Sequence, residues 1–143
     1  MISIILTGHG SFAEGLFSAA KLITGLTDAL SCVTFPETDS TEDLQKKLRA
    51  AIDDAEGEVL VLADMAGGSP FKEAVVLRAA MPERKIEVVS GANVPMVIAA
   101  LLERDGERLD SFVPHLLEGA KFAVRQYAPA AAPAAADSGD DGI

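Results

Sequence analysis

Met1-Ile2-Ser3-Ile4-Ile5-Leu6-Thr7-Gly8-His9-Gly10-Ser11 opens the chain, and the change of character inside this stretch decides the fold. Met1 to Thr7 is short, rich in β-branched residues and almost continuously apolar, as a strand buried on both faces should be. Gly8-His9-Gly10 is expected to break it. Ser11 can then cap a helix, and Glu14, three residues on, completes a capping-box pattern. Phe12, Leu16, Ala19, Ala20 and Ile23 recur at helical spacing, and Gly25 closes the helix.

The unit recurs in kind, without an internal sequence repeat. Leu30 to Phe35 reads as a second strand. A second helix begins at Thr41-Glu42-Asp43-Leu44, carried by Leu44, Leu48, Ala51 and Ile52, with Gly57 beyond its end. Glu58 to Ala63 reads as a third strand and Pro70 to Met81 as a third helix, its Pro in the first turn where a missing N–H costs little. Lys85 to Val89 is the fourth strand. Asn93 caps a helix running through Pro95, Met96, Ile98, Leu101 and Leu102, and a last amphipathic helix spans Leu109 to Arg125. Strands alternating with helices imply right-handed βαβ units and a parallel sheet. The expected fold is α/β, a three-layer flavodoxin-like sheet in the order 2-1-3-4 with helices on both faces. From Ala128 the composition shifts to an Ala/Pro tract and then to acidic Asp137-Ser138-Gly139-Asp140-Asp141-Gly142, expected as a flexible tail or linker stub.

Composition narrows the functional classes. Twelve basic against 22 acidic residues give a net charge of −10, which repels nucleic-acid backbone and anionic lipid and suits a basic protein partner or simple solubility. Cys32, the single cysteine, lies in an apolar run and is expected to be a buried, inert thiol. No Cys-x-x-Cys or other metal-ligand pattern occurs, so no metal or cofactor is expected. The N-terminus lacks a signal-peptide pattern, and no apolar run approaches the roughly 20 residues that span a bilayer. The expectation is a soluble cytoplasmic protein that does not insert in the membrane.

In an open parallel sheet, ligands bind beyond the carboxyl ends of the strands where strand order reverses. For the order 2-1-3-4 that place lies between strands one and three, whose following loops are Thr7-Gly8-His9-Gly10-Ser11 and Asp64-Met65-Ala66-Gly67-Gly68-Ser69-Pro70. A neutral imidazole is a nucleophile near neutral pH. A carboxylate such as Asp64, accepting from Nδ1–H of His9, would fix the tautomer, expose Nε2 and stabilise the charge gained on attack. Gly8 and Gly10 would leave the ring open to a large partner. Gly67, Gly68 and Ser69 open a helix whose free N–H groups suit phosphoryl oxygens, with the hydroxyls of Ser11, Ser69 and Thr7 as further donors. Neither loop contains Lys or Arg, unlike a nucleotide-binding P-loop. Plainer readings stand beside these: a structural loop histidine and an ordinary Gly-Gly-Ser-Pro turn. His115, beside Pro114 and Leu116 with no predicted polar partner, reads as a surface or interface residue. Asp39, Asp43, Asp53 and Asp54 read as solvated or capping charges.

Three co-linear segments, Ile4-Ile5-Leu6-Thr7-Gly8-His9-Gly10, Leu62-Ala63-Asp64 with Gly67-Gly68-Ser69-Pro70-Phe71, and Ser90-Gly91-Ala92-Asn93-Val94-Pro95-Met96, resemble the signature segments of the mannose-family IIA proteins of the bacterial sugar phosphotransferase system. The resemblance covers about residues 1–126, leaving 127–143 as tail. It implies a phosphocarrier that accepts a phosphoryl group from HPr on His9 and donates it to a IIB component, which serves a IIC/IID membrane complex. It further implies Asp64 as the histidine-orienting residue, Gly68 and Ser69 as the phosphate-facing groups, and Asn93 and Pro95 as site-shaping residues. It also implies a homodimer, with a possible C-terminal edge strand near Gln126 and Tyr127. Two features depart from the family pattern: Ala66 stands where many relatives carry a bulky aromatic, and the Ala/Pro tract resembles a IIA–IIB linker with no IIB after it. The alternatives are the phosphoryl-donor domain of a phosphoenolpyruvate-dependent dihydroxyacetone kinase and a non-catalytic anion- or partner-binding module. The sugar implied is of the mannose, fructose or N-acetylgalactosamine type.

Overall fold

The computed structural model describes residues 1–130. Its elements run β1 (Ser3–His9), α1 (Phe12–Thr24), β2 (Leu30–Phe35), α2 (Thr41–Asp54), β3 (Val59–Ala63), α3 (Ser69–Ala80), β4 (Ile86–Val89), α4 (Val94–Glu103) and α5 (Leu109–Phe122). The strands form one sheet in the order β2-β1-β3-β4, every neighbouring pair parallel. This is the expected three-layer architecture.

Side-chain alternation along the two central strands divides the core. Ile4 and Leu6 of β1, with Leu60 and Leu62 of β3, pack with Leu16 and Ala20 of α1, Met96 and Val97 of α4, and Phe112 and Leu116 of α5. Ile5, Val59 and Val61 face the other way, against Leu44, Leu48 and Ile52 of α2 and Ala74 and Leu77 of α3. Each fully buried Leu or Ile contributes about 1.5–3 kcal/mol. Since α1 and α3 lie on opposite faces, the loops after β1 and β3 part at adjacent strands and leave a crevice between them.

Two local expectations are corrected. β1 does not break at Gly8: Gly8 and His9 still pair with Thr34 and Phe35, and the chain turns at Gly10, whose φ of +57° suits glycine. Ser11 occupies the N-cap of α1 but makes no side-chain capping bond, since its φ of −98° and ψ of 18° depart from the extended cap conformation. The capping box forms instead at α2, where Ser40 Oγ accepts from Asp43 N–H at 3.1 Å and Asp43 Oδ2 accepts from Ser40 N–H at 3.0 Å. Gly25 does close α1, at φ 73°.

At the C-terminal end, α5 stops at Phe122, short of Arg125. No strand forms at Gln126 and Tyr127, where Tyr127 is 83% exposed, and Pro129 follows without the β-branched residues a strand favours. The expected Ala/Pro and acidic tail falls mostly at 131–143, outside the described residues.

Arg104, directly after α4, is only 3% exposed and has no carboxylate hydrogen-bond partner among the described residues. Its guanidinium donates to the backbone carbonyls of Ile2, Asp28 and Ala29 and so ties α4 to the strand starts. Arg104→Met keeps the apolar stem and removes these bonds. The variant is expected to lose about 2 kcal/mol in urea unfolding. A loss under about 0.5 kcal/mol would mean that burying the charge costs as much as its bonds return.

Candidate active site

His9 is the last residue of β1, and Asp64 follows the last residue of β3. The register Thr7↔Ala63 places these two chain ends side by side. Asp64 Oδ2 accepts the backbone N–H of His9 at 2.9 Å and lies 2.7 Å from His9 Nδ1, while Oδ1 accepts the Met65 N–H at 2.8 Å. An ionised carboxylate can only accept, so Nδ1 carries a proton, and in the neutral ring Nε2 keeps its lone pair. Burial pushes the Asp64 carboxyl up. The bonds from His9 N–H and Nδ1, the His9 charge and the Met65 N–H together outweigh burial and hold it below the ordinary carboxylate value. The His9 side chain is 47% exposed and that of Asp64 15%, so the imidazole faces solvent and its carboxylate partner is sheltered.

Two glycines make this approach possible. A Cβ on Gly8 would meet the Phe12 ring and lie 3.0 Å from Asp64 Cγ. Gly8 is thus glycine to make room for the carboxylate, rather than only to open the ring. A Cβ on Gly68 would press on His9 Cε1 and lie 2.9 Å from Nε2. Gly68 is also the N-cap of α3, with φ −97° and ψ 167°, and no side chain caps that helix. Ser69 is its first residue and Pro70 its second. The positive end of α3 and its uncapped N–H groups therefore begin against the Cε1–Nε2 edge of the imidazole.

The other expected residues distribute unequally. Ser11 and Gly67 are exposed, on the loops beside His9 and Asp64. Thr7 is withdrawn from the phosphate donors: it is fully buried, two residues down the strand, and its hydroxyl donates to the Val33 carbonyl at 2.9 Å. Asn93 caps α4, Oδ1 accepting from Met96 N–H at 2.9 Å, and its amide donates to the Ala120 carbonyl at 3.3 Å. Ala92 N–H donates to the Ala63 carbonyl at 3.0 Å, which brings the segment containing Asn93 and exposed Pro95 to the end of β3. His115 does have a polar partner, Glu103 Oε1 at 2.9 Å from Nε2, on the neighbouring helix. Cys32 is half-buried, and burial followed by the Glu14 charge pushes its thiol up, away from the reactive thiolate.

One neighbour of the histidine escapes the sequence. Phe35, ending β2, is the register partner of His9, and its ring stands 6.0 Å from the imidazole, centroid to centroid, at 59°. The 2-1-3-4 order carries the signal, since it sets the last residue of β2 beside the last residue of β1. Among the described residues no group of three or more His, Cys, Asp or Glu could hold a metal ion, and no helix is long and apolar enough to cross a membrane.

The family model described as PTS system fructose IIA component matches residues 3–117. The chain belongs to the mannose-family EIIA components of the phosphotransferase system. It is 31% identical over 118 residues to the PTS system fructose-specific EIIA component of Bacillus subtilis, covering 81% of this chain and 80% of that protein. It is 32% identical over 128 residues to the PTS system mannose-specific EIIAB component of Escherichia coli, covering 87% of this chain but 39% of that longer protein. The crystal structure of phosphotransferase system component EIIA from Streptococcus agalactiae superposes with a TM-score of 0.83 at 31% identity, covering 88% of this chain and 97% of that one. The mannose/sorbose-specific IIA subunit from Enterococcus faecalis also gives 0.83, at 28% identity over 92% and 98% of the two chains. As an EIIA component the chain is a phosphotransferase.

Proposed function

We propose that this EIIA component carries a phosphoryl group on His9 Nε2, taking it from phospho-HPr and giving it to a IIB component. The observation that carries this reading is the 2.7 Å contact between Asp64 Oδ2 and His9 Nδ1, with Nε2 left free at the mouth of α3. In the forward step the Nε2 lone pair forms a bond to phosphorus as the phosphorus–nitrogen bond to the donor imidazole breaks, its electron pair returning to the donor. The Nδ1 proton stays on His9, and the Asp64 carboxylate offsets the positive charge the ring gains. Phosphoryl oxygens would be received by the N–H groups at Gly68 and Ser69 and by the hydroxyls of Ser69 and Ser11, without a cation. The second transfer reverses these bond changes toward a histidine of IIB.

Residues 1–126 form the phosphotransfer domain on this reading, with 127–143 a tail outside it. The protein works in the cytoplasm, as a homodimer, upstream of a IIC/IID complex that moves a sugar of the mannose or fructose type. The relatives' fructose and mannose names support a sugar system over a dihydroxyacetone kinase donor.

Incubation with phosphoenolpyruvate, Enzyme I and HPr, followed by intact-mass spectrometry at mildly alkaline pH, tests the proposal. The expected result is the gain of one phosphoryl mass, lost in acid and mapped by fragmentation to His9. A folded protein that gains no mass, or gains it elsewhere, would overturn the assignment.

A further inference from the structure

Asp64 fixes one atom of the His9 ring and leaves a question of orientation. The imidazole turns only about χ1 and χ2, a single hydrogen bond at Nδ1 limits those torsions without locking them, and a side chain 47% exposed has room to rock. On one side Gly68 comes so close that a Cβ there would press on Cε1 and Nε2. On the other stands Phe35. We infer that Phe35 is a positioning residue for phosphoryl transfer, its ring setting the tilt of the His9 imidazole so that Nε2 stays aimed at the mouth of α3. The inference rests on His9 being the phosphoryl acceptor.

Three observations converge on Phe35. It pairs with His9 in the parallel register, so both side chains leave the same face of the sheet at neighbouring positions. The rings are tilted at 59° with centroids 6.0 Å apart, within the range of attractive aromatic pairs. The backbone is tied a second time, because Gly10 N–H donates to the Phe35 carbonyl at 2.8 Å and Phe35 N–H to the Gly10 carbonyl at 3.4 Å. The turn that follows the nucleophile is therefore fastened to the residue that flanks its ring. Phe35 itself is anchored, packing against the core cluster formed with α2 and α3. It is a partly buried aromatic braced against the core beside a half-exposed ring.

The test compares Phe35→Ala, Phe35→Leu and Phe35→Tyr in the full chain, with phosphoramidate as a partner-free phosphoryl donor. His9 is followed by the NMR shift and order parameter of its Cε1–H group, and folding by thermal unfolding. Phe35→Ala is expected to slow phosphorylation about tenfold to a hundredfold, as small misplacements of a reacting group do. It should also remove the ring-current shift at Cε1–H and lower the order parameter. Phe35→Tyr restores rate and order, while Phe35→Leu restores thermal stability but neither of the other two. A Phe35→Ala variant with wild-type rate and His9 order, or full rescue by Leu, would reduce Phe35 to core filling. If wild-type protein accepts no phosphoryl group from phosphoramidate or from HPr, the phosphocarrier reading fails, and the His9 order parameters still decide whether Phe35 positions the ring.

Discussion

Asp64→Asn is expected to slow the proposed single-turnover transfer from phospho-HPr by about 10³- to 10⁴-fold, the scale on which a histidine loses its orienting carboxylate. Charge is only part of the loss. Oδ2 accepts two donors from His9, and Oδ1 accepts a third from Met65. An amide has one oxygen and one donating nitrogen, so it cannot serve both sides. With the NH2 turned to His9, the backbone N–H is opposed and the imidazole must accept at Nδ1, which moves its proton to Nε2 and removes the nucleophilic lone pair. With the NH2 turned to Met65, two donors face each other. Stopped-flow or quenched-flow measurement of phosphoryl loss from HPr checks the rate. The far-UV circular dichroism stays that of wild type.

The same substitution alters acid stability in a definite direction. The Asp64 carboxyl titrates lower in the folded protein than the usual value of about 3.9. It therefore contributes stability that is fully present above that value and lost as pH falls through its lowered folded value. Asn at this position has no such dependence. The stability difference between wild type and variant should narrow as pH drops below about 4.

Gly68→Ala is expected to cost about a hundredfold in transfer rate while leaving stability within about 1 kcal/mol of wild type. The two effects separate because the backbone at Gly68, φ −97° and ψ 167°, is one that any L-residue adopts. Alanine reduces the freedom of the unfolded chain, and a slightly poorer N-cap offsets that gain. The damage falls on the imidazole, whose Nε2 lies 2.9 Å from the added methyl and whose Cε1 lies closer still. The half-exposed ring can move away, and in doing so it leaves Asp64. Denaturant unfolding and transfer kinetics on the same preparation check both halves; a loss of both in proportion would point to a misfolded loop instead.

Much of this architecture is legible because it is local. The apolar runs at β1, β2 and β3, the Asn93 cap and the Gly25 stop each reflect forces acting within a few residues. The pairing of His9 with Asp64 is legible one step further on, since strand order alone carries both to one crevice. What stayed hidden needs distances between segments. Thr7 shares a sheet face with His9, but only the position of the Val33 carbonyl shows that its hydroxyl is already engaged. Ser11 has the chemistry of a cap, and the Gly10 turn delivers it in the wrong conformation. Phe35 looks like any strand-ending aromatic until the register sets it beside the histidine. Glu103 and His115 meet across two helices, a partnership that periodicity cannot see.

The uncapped start of α3 and the lack of Lys or Arg at positions 7–11 and 64–70 bear on energetics as much as on geometry. A cation in that cradle would deepen the well in which the phosphoryl group rests, and each transfer onward would have to climb out of it. Neutral N–H groups and a partial helix charge would hold the proposed phosphoryl group without sinking it. If the protein stands between two other phosphohistidines, as proposed, the relay would run nearly level, as readily backwards as forwards. Net flow would then be set by how full the donor and acceptor pools are, with the protein serving as a conductor rather than a reservoir.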